Sequence, residues 1–361
     1  MKRGILVSAF VLLGPIVSSG PATAVLPYTI TDLGTLVGGF SSRAFGMNDL
    51  GQVVGEASTA DGHRHAFLWE DGAMQDLGTL GGTVSRACGI NTSRQVVGCA
   101  YPPSGDRHAF LWENGVMHDL GTLDLGALGG PSSYALGINV LGQIVGEAGT
   151  TSVRHAFLWE DGVMQDIGTL GGAQSCASAI NAWGQVVGQA STADGYYHAF
   201  FWENGSMQDL GTLGGLFSYA DGINASGQVV GCADPGSGYR HASLWENGVV
   251  QGLGTLGGSE SWATAINASG QVVGEAEIAG GSDRAFLWES GVMYNLNDLI
   301  PEDSGWILET ATDINDLGQI VGTGSHNGQT RGFLLTPIPE PSALGLLAFA
   351  FLIAIRWLRR G

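Results

Sequence analysis

Basic residues are scarce in this sequence. Of its 361 residues, 14 are Lys or Arg and 33 are Asp or Glu, and the formal net charge is −19. Lys2 is the only lysine. A protein that binds nucleic acid needs cations to neutralise phosphates. The composition therefore argues against a nucleic-acid partner.

Helical periodicity and long apolar runs are missing between the two ends of the chain. Apolar residues alternate or occur in runs of two to four, which is typical of strands. Glycine supplies 60 of the 361 residues, well above its usual share of about 7% but too few for collagen, which needs about one third. Hydrophobic residues make up 44%, so the chain can bury a core, and it turns often.

Motifs of catalysis and of metal or phosphate binding are also lacking. The sequence contains no Gly-x-Ser-x-Gly, no His-Glu-x-x-His, no phosphate loop and no calcium loop. Nearly every polar residue is either repeated or scattered, whereas catalysis needs unlike groups at one place. We predict no catalytic residues, no cofactor and no metal site, and hence no enzyme. Among the four cysteines (Cys88, Cys99, Cys176 and Cys232) we predict no disulfide framework.

Residues 1–24 have the pattern of a secretory signal peptide. Lys2 and Arg3 are its positive start, and residues 5–17 are mostly apolar. Ala22 and Ala24 supply the small residues that signal peptidase requires, so we place the cut after Ala24. The alternative is an uncleaved membrane anchor.

The C-terminal residues 337–361 have three parts in a fixed order. Pro339-Glu340-Pro341 precedes an apolar run, and residues 343–358 are predicted to form one short transmembrane helix. The basic end consists of Arg356, Arg359 and Arg360, which favours a cytoplasmic terminus by the positive-inside rule. We call residues 25–336, the chain without its two ends, the passenger. It carries nine basic and 32 acidic residues, which gives a net charge of −23.

This tail resembles the PEP-CTERM sorting signal in its tripeptide, its adjacent helix and its basic end. The resemblance implies an exosortase in the inner membrane that recognises and cleaves the tail. It also implies a Gram-negative bacterium that makes exopolysaccharide, with the protein at the cell surface or in the extracellular matrix. The alternative is an ordinary single-span tail.

Residues 25–336 consist of one repeat of about 43 residues, present seven times. Four short phrases recur in the same order: an aspartate phrase (Asp-Leu-Gly-Thr-Leu-Gly-Gly), an asparagine phrase (Gly-Ile-Asn), a glutamine phrase (Gln-Val-Val-Gly) and a histidine phrase (His-Ala-Phe-Leu-Trp-Glu). The repeated asparagines are Asn48, Asn91, Asn139, Asn181, Asn224, Asn267 and Asn315. The last copy has a unique stretch, residues 295–309, in which the repeat phrases are only weakly preserved.

Each phrase is predicted to form a short strand, because it is bounded by Gly, Asn or Asp. Four strands in about 43 residues is the size of a propeller blade. We therefore predict an all-β, seven-bladed β-propeller, with the strands ordered asparagine, glutamine, histidine, aspartate from inner to outer. The first strand would complete the last blade and close the ring, which hides the sheet edges. A β-solenoid is the alternative.

The repeat resembles the extracellular HAF-repeat family, over about residues 28–336. The triplet His-Ala-Phe stands at 65–67, 108–110, 155–157 and 198–200. The resemblance implies an extracellular location more than an activity.

Repeated side chains are expected to serve the fold. The histidines should pack and bond to backbone, and the aspartates should bond turn backbone or pair with the arginines before the histidines. The six repeated tryptophans are expected to pack between blades: Trp69, Trp112, Trp159, Trp202, Trp245 and Trp288. Trp183, Trp262 and Trp306 fall outside that pattern and are the candidate ligand contacts.

The two terminal targeting signals and the repeat architecture together predict an exported protein with a structural or binding role in a matrix or biofilm. Its expected partners are signal peptidase and exosortase during export, then exopolysaccharide or other surface glycans. The alternatives are an extracellular glycan hydrolase and a calcium-dependent adhesin.

Overall fold

The computed structural model describes residues 27–121, 130–150 and 153–339. These residues form seven four-stranded antiparallel sheets arranged as the blades of a propeller. The predicted signal peptide, with Ala22 and Ala24, lies outside the described residues, as do Glu340, Pro341 and the predicted transmembrane segment. In the described part of the chain, no helix is long and apolar enough to cross a bilayer.

The blades follow one another along the chain. Blade one contains β2 (Ser42–Met47), β3 (Val53–Ser58), β4 (Arg64–Glu70) and β5 (Ala73–Asp76). Blade two contains β6 (Ser85–Ile90), β7 (Val96–Ala100), β8 (His108–Glu113) and β9 (Val116–Asp119), and blade three contains β10 (Ser132–Ile138), β11 (Ile144–Gly149), β12 (Arg154–Glu160) and β13 (Val163–Asp166). Blade four contains β14 (Gly171–Ile180), β15 (Val186–Thr192), β16 (Tyr197–Glu203) and β17 (Ser206–Asp209).

Blade five contains β18 (Ser218–Ile223), β19 (Val229–Ala233), β20 (His241–Glu246) and β21 (Val249–Gly254). Blade six contains β22 (Gly257–Ile266), β23 (Val272–Ile278), β24 (Asp283–Glu289) and β25 (Val292–Asn295). Blade seven contains β26 (Trp306–Ile314), β27 (Ile320–His326), β28 (Gln329–Pro337) and β1 (Tyr28–Asp32). Two short 3₁₀ helices, Leu296–Leu299 and Glu302–Ser304, lie between β25 and β26.

Local sequence explains both the strands and the turns within a blade. Asp71-Gly72 joins β4 to β5, and both residues have positive φ (50° and 82°), as a two-residue type I′ hairpin requires. Gly55 ends the glutamine phrase because a side chain there would overlap the backbone oxygen of Arg43 on the neighbouring strand.

The ring closes through the first strand, as predicted. Strand β1 pairs antiparallel with β28, with Tyr28 opposite Pro337 and Asp32 opposite Phe333. The N-terminal strand thus becomes the outer strand of the last blade, and the predicted strand order within a blade is confirmed.

The core lies between the blades. The phenylalanine of the histidine phrase is fully buried in six blades: Phe67, Phe110, Phe157, Phe200, Phe286 and Phe333. Trp112 of blade two is 4% exposed and belongs to one cluster with Val54 and Leu68 of blade one. The prediction that these tryptophans pack between blades is confirmed.

The seven asparagines form a closed ring of hydrogen bonds, which we call the asparagine ring. Asn48 Oδ1 accepts the backbone N–H groups of Leu50 and Gln52, each at 3.1 Å. Asn48 Nδ2 donates to the Gln52 side chain at 2.6 Å and to the Asn91 carbonyl of the next blade at 3.0 Å. The same donation to the next blade occurs around the ring, and Asn315 closes it on the Asn48 carbonyl at 3.3 Å.

A buried serine connects neighbouring blades at the opposite end of the inner strands. Ser85 Oγ of blade two accepts the Ala66 N–H at 2.9 Å and donates to the Gly78 carbonyl at 2.5 Å, both in blade one. Equivalent serines bridge five other junctions: Ser42, Ser133, Ser175, Ser218 and Ser261.

The junction between blades six and seven uses an asparagine in place of the serine. Asn297 Oδ1 accepts the Leu308 N–H at 2.8 Å, and Asn297 Nδ2 donates to the Leu308 carbonyl at 2.9 Å. The unique stretch 295–309 therefore replaces a missing inter-blade bridge, which gives it a structural role.

Replacing one ring asparagine should weaken the whole propeller. In Asn224→Ala, two turn N–H groups lose their acceptor and the Asn267 carbonyl loses its donor. A buried group left unpaired costs ~1–3 kcal/mol. The two turn N–H groups are only part-buried and can bond to water, so we expect a total loss of about 2–4 kcal/mol. Urea unfolding followed by tryptophan fluorescence measures it. Ser226→Ala, an exposed residue of the same turn, is the matched control, and equal midpoints for the two variants would contradict the role of the ring.

Candidate functional site at the mouth of the central channel

The seven inner strands surround a central channel. Its middle section has a volume of about 430 Å³ and is lined by residues from all seven inner strands. The asparagine turns encircle one end, which we call the asparagine face. The inner strands begin at the other end, which we call the mouth, beside the longer connections between strands and blades.

Comparing the seven copies separates residues that the fold needs from residues that it leaves free. The Ser, Ala and Asn of the inner strand recur because they join blades. The position five residues before each ring asparagine changes chemistry instead: it holds Arg43, Arg86, Tyr134, Cys176, Tyr219, Trp262 and Thr310. Two residues on, the side chains are Phe45, Cys88, Leu136, Ser178, Asp221, Thr264 and Thr312, and they line the channel. These free positions meet at the mouth and channel, which makes this the candidate site.

Three aromatic side chains of blades four to six form a cluster at the mouth. The Tyr197 and Tyr219 rings stack with centroids 6.3 Å apart, and Trp262 lies 5.5 Å from Tyr219. All three are half-buried. The Arg240 guanidinium lies 5.5 Å from the Tyr219 ring and 5.1 Å from the Trp262 ring. We call Tyr197, Tyr219 and Trp262 the aromatic cluster.

Asp221 joins the aromatic cluster to the channel wall. The Trp262 indole N–H donates to its carboxylate at 2.5 Å. Loss of water around the carboxyl group raises its pKa from 3.8 to about 7, although the indole bond opposes this shift. Asp221 therefore titrates near neutral pH.

Asp313 is a second acid in the channel wall, where most other blades have glycine. It accepts the backbone N–H of Met47 in blade one at 2.8 Å and that of Ile314 at 2.9 Å. Desolvation raises its pKa from 3.8 to about 7 against these hydrogen bonds. The carboxylate thus bonds across the junction where the ring closes.

Arginines of blades one to three share two glutamates at the mouth. Arg43 and Arg64 both contact Glu56, at 3.4 and 3.1 Å. In the same way, Arg107 and Arg154 both contact Glu147, at 3.1 and 2.7 Å.

Arg86 lies between these two groups and has an aromatic partner. Its guanidinium carbon is 3.8 Å from the centroid of the Phe45 ring. Its Nε is buried without a hydrogen-bond partner. Arg107 is likewise placed over an aromatic ring, 4.3 Å from the Tyr134 centroid.

The repeated histidines and aspartates pair with one another away from the channel. His65 Nδ1 lies 2.9 Å from an Asp76 carboxylate oxygen, and the repeated His108, His155 and His198 have the same geometry. His326, outside the histidine phrase, pairs in the same way with Asp32. The ring nitrogen thus bonds to a carboxylate, where we expected a backbone partner. Asp76 also accepts the Gly78 N–H of its own turn at 2.8 Å. The expected turn bond is therefore confirmed, but the expected pairing with the preceding arginines is wrong, because Arg64 bonds to Glu56 instead.

The three candidate tryptophans lie in different places. Trp262 belongs to the aromatic cluster. Trp183 is 73% exposed in a turn of the asparagine face, where its indole N–H donates to the Ala225 carbonyl at 3.1 Å. Trp306 stacks on His326 with ring centroids 4.5 Å apart, inside blade seven. Pro339 of the predicted sorting signal is exposed at the end of the described chain.

The cysteines are free thiols with little nucleophilic character. Cys88 Sγ donates to the Tyr134 hydroxyl at 3.2 Å. Burial raises the pKa of the Cys88 thiol, and it raises that of Cys99 to about 12. A thiol that stays protonated is a poor nucleophile. Among the described residues, no three or more His, Cys, Asp or Glu side chains are grouped so that they could hold a metal ion.

Sequence reasoning identified Trp262 but missed Tyr219 and Asp221 beside it, and it missed Arg86 in the channel lining. Tyr219, Asp221 and Arg86 were hidden inside an otherwise regular repeat. A comparison of the inner-strand positions across the seven copies would have found them, because their chemistry changes while the inner-strand alanine and the ring asparagine stay the same.

The chain resembles known propeller structures in fold. TolB from Acinetobacter baumannii matches 78% of this chain and 79% of its own at 15% identity, with a TM-score of 0.46. Acylaminoacyl peptidase from Pyrococcus horikoshii matches 78% and 49% at 10% identity, with a TM-score of 0.46. The SapL1 lectin, solved with α-methyl fucoside, matches 84% and 98% at 12% identity, with a TM-score of 0.36. No protein-family model and no curated protein matches the chain.

The two channel aspartates should make the protein less stable as the pH rises from about 4 to 7. In that window the folded protein keeps protons that unfolded carboxyls, with a pKa of 3.8, have lost. We expect the urea midpoint to fall through the window and to level off above about pH 7. Asp221→Asn, which can still accept the indole N–H, should reduce the fall and stabilise the protein at pH 8. If exposed Asp61→Asn reduced the fall equally, the effect would not come from the channel.

Proposed function

We propose that this chain is an exported glycan-binding propeller that is sorted to the cell surface or matrix and binds saccharide at the channel mouth. The aromatic cluster beside Arg240 is the observation that carries the proposal. Ligand sites are concave and combine aromatic walls with a few placed polar groups. The mouth has both, at positions that the repeat leaves free.

The aromatic cluster has the chemistry to hold a sugar ring. An aromatic face packs against the C–H groups of a sugar, and the polar edges of Tyr and Trp bond to hydroxyls. Tyr219 and Trp262 are half-buried, so their positions are fixed by their neighbours. A site whose side chains are already ordered loses less entropy on binding.

The proposed location of the protein is inferred from the sequences of its two ends. The signal-peptide pattern of residues 1–24 supports export, and the tail resembles a PEP-CTERM signal. The chain leaves the last described strand at Pro337, which lies against Gly318 in the asparagine turn of blade seven. The last described strand therefore ends at the asparagine face, on the opposite side of the propeller from the mouth.

The two channel aspartates suggest a glycan hydrolase as the alternative, since a raised pKa is usual for a general acid. Both carboxylates, however, already accept hydrogen bonds within the wall: Asp221 from Trp262, and Asp313 from Met47 and Ile314. This arrangement favours a structural role for the pair, and the proposal is a binding protein without hydrolytic activity.

Removing the indole at the mouth should weaken glycan binding. We expect Trp262→Leu to raise the Kd for a bound oligosaccharide at least tenfold, which corresponds to ~1.4 kcal/mol. A glycan array on the purified passenger, residues 25–336, followed by calorimetry with the best ligand measures this. Trp183→Leu is the matched control, because it removes the same side chain from the opposite face. An equal loss in both variants, or no retained glycan on the array, would contradict the proposal.

The sorting signal has its own test. In a host with an exosortase, we expect the full chain to lose its C-terminal segment and to appear at the surface or in the medium. Changing Pro339-Glu340-Pro341 to alanines should leave the segment attached in the membrane fraction. Intact mass after fractionation reads out both results. A tail retained in both proteins would mean a membrane-tethered propeller.

A further inference from the structure

We propose that the ligand of the mouth is anionic, a glycan that carries carboxylate groups, and that the arginines of blades one to three recognise its charge. The inference rests on the proposed function and adds the substrate class. We call Arg43, Arg64, Arg86, Arg107 and Arg154 the arginine arc.

The arginine arc has more cations than partners. Its four outer members share two carboxylates, Glu56 and Glu147, and the fifth, Arg86, makes no hydrogen bond and no ion pair with any described residue. The arginine arc thus has five guanidinium groups and only two carboxylates as ion-pair partners among the described residues.

This excess is unexpected in so acidic a chain. The passenger has nine arginines and 32 acidic residues, so partners are abundant. Arg94 outside the arc contacts Glu70 at 3.0 Å, and Arg331 has Asp32 at 3.9 Å. Arg86 instead contacts an aromatic ring and forms no ion pair within the described residues, so its guanidinium in the channel lining can bind a partner from outside.

Arg86 has an unsatisfied hydrogen-bond donor that an anionic ligand could pair with. Its Nε is buried without a partner, and the side chain lines the channel. The Phe45 ring and the charge of nearby Glu56 favour the guanidinium, but neither accepts a hydrogen bond from the buried Nε. A carboxylate can accept two parallel N–H bonds from one guanidinium, which makes it a fitting partner.

The two sides of the mouth suit the two parts of an acidic sugar. The aromatic cluster of blades four to six can pack against the ring, and the arginine arc of blades one to three can bind the charge. The rest of the molecule carries the acidic excess and repels polyanions. An acidic glycan would therefore be held at the mouth and nowhere else on the surface.

A matched pair of probes tests the charge directly. We would compare oligogalacturonate with its methyl ester, which has the same sugar backbone without the charge. We expect the passenger to bind the acid form about tenfold or more tightly than the ester. Arg86→Gln should abolish most of this preference by raising the Kd of the acid form. The double variant Arg43→Gln/Arg154→Gln, which changes two exposed residues, serves if Arg86→Gln does not fold, and it should reduce the preference too.

The control is Arg94→Gln, which removes an arginine from the asparagine face. It should keep the full preference for the acid form. Equal binding of acid and ester by the unmodified passenger would overturn the inference and leave glycan binding standing. Loss of the preference in Arg94→Gln as large as in Arg86→Gln would also overturn it. If neither probe binds while the array finds a neutral glycan, the anionic class is wrong. If no glycan binds at all, the proposed function fails first.

Discussion

The asparagine ring is the constraint on which the rest of the propeller depends. Each asparagine fixes its own turn through two accepted N–H bonds and holds the next blade through one donated bond, so local and long-range structure rely on one side chain. The bonds form a cycle that closes between Asn315 and Asn48. This explains why the asparagine and glutamine phrases persist in all seven copies while the histidine and aspartate phrases decay.

The blades could be predicted from sequence because each is encoded locally. Hairpin turns, strand lengths and the order of strands follow from short phrases, and the position of the first phrase implied the closure. The partner of Asp76 could not be predicted without the register. Asp76 lies opposite Phe67, and neighbouring residues of a strand face opposite sides. His65 is therefore on the side of Asp76, and Arg64 is on the other, beside Glu56.

The site was harder to predict because it is assembled from positions that carry no fold signal. Tyr219 and Trp262 lie on inner strands, Tyr197 begins a third strand, and Arg240 lies just before one. They come from three successive blades and meet only because the blades stand side by side. The repeat itself supplies the means to find such residues. Where all seven copies keep one residue, the position serves the fold, and where they differ, the repeat does not constrain the side chain.

The channel lining also contains ionisable groups of both signs. Its described lining carries one guanidinium, that of Arg86, and two carboxyls, Asp221 and Asp313, whose pKa is about 7 in each case. As the pH rises through 7, the charge of the lining therefore changes from about +1 to about −1. Below about pH 7 the two aspartates are protonated and neutral. Their repulsion of an anion in the channel is then smallest. The asparagine ring fixes the channel walls, so protonation of these two carboxyls can change the charge of the lining without any change of its residues.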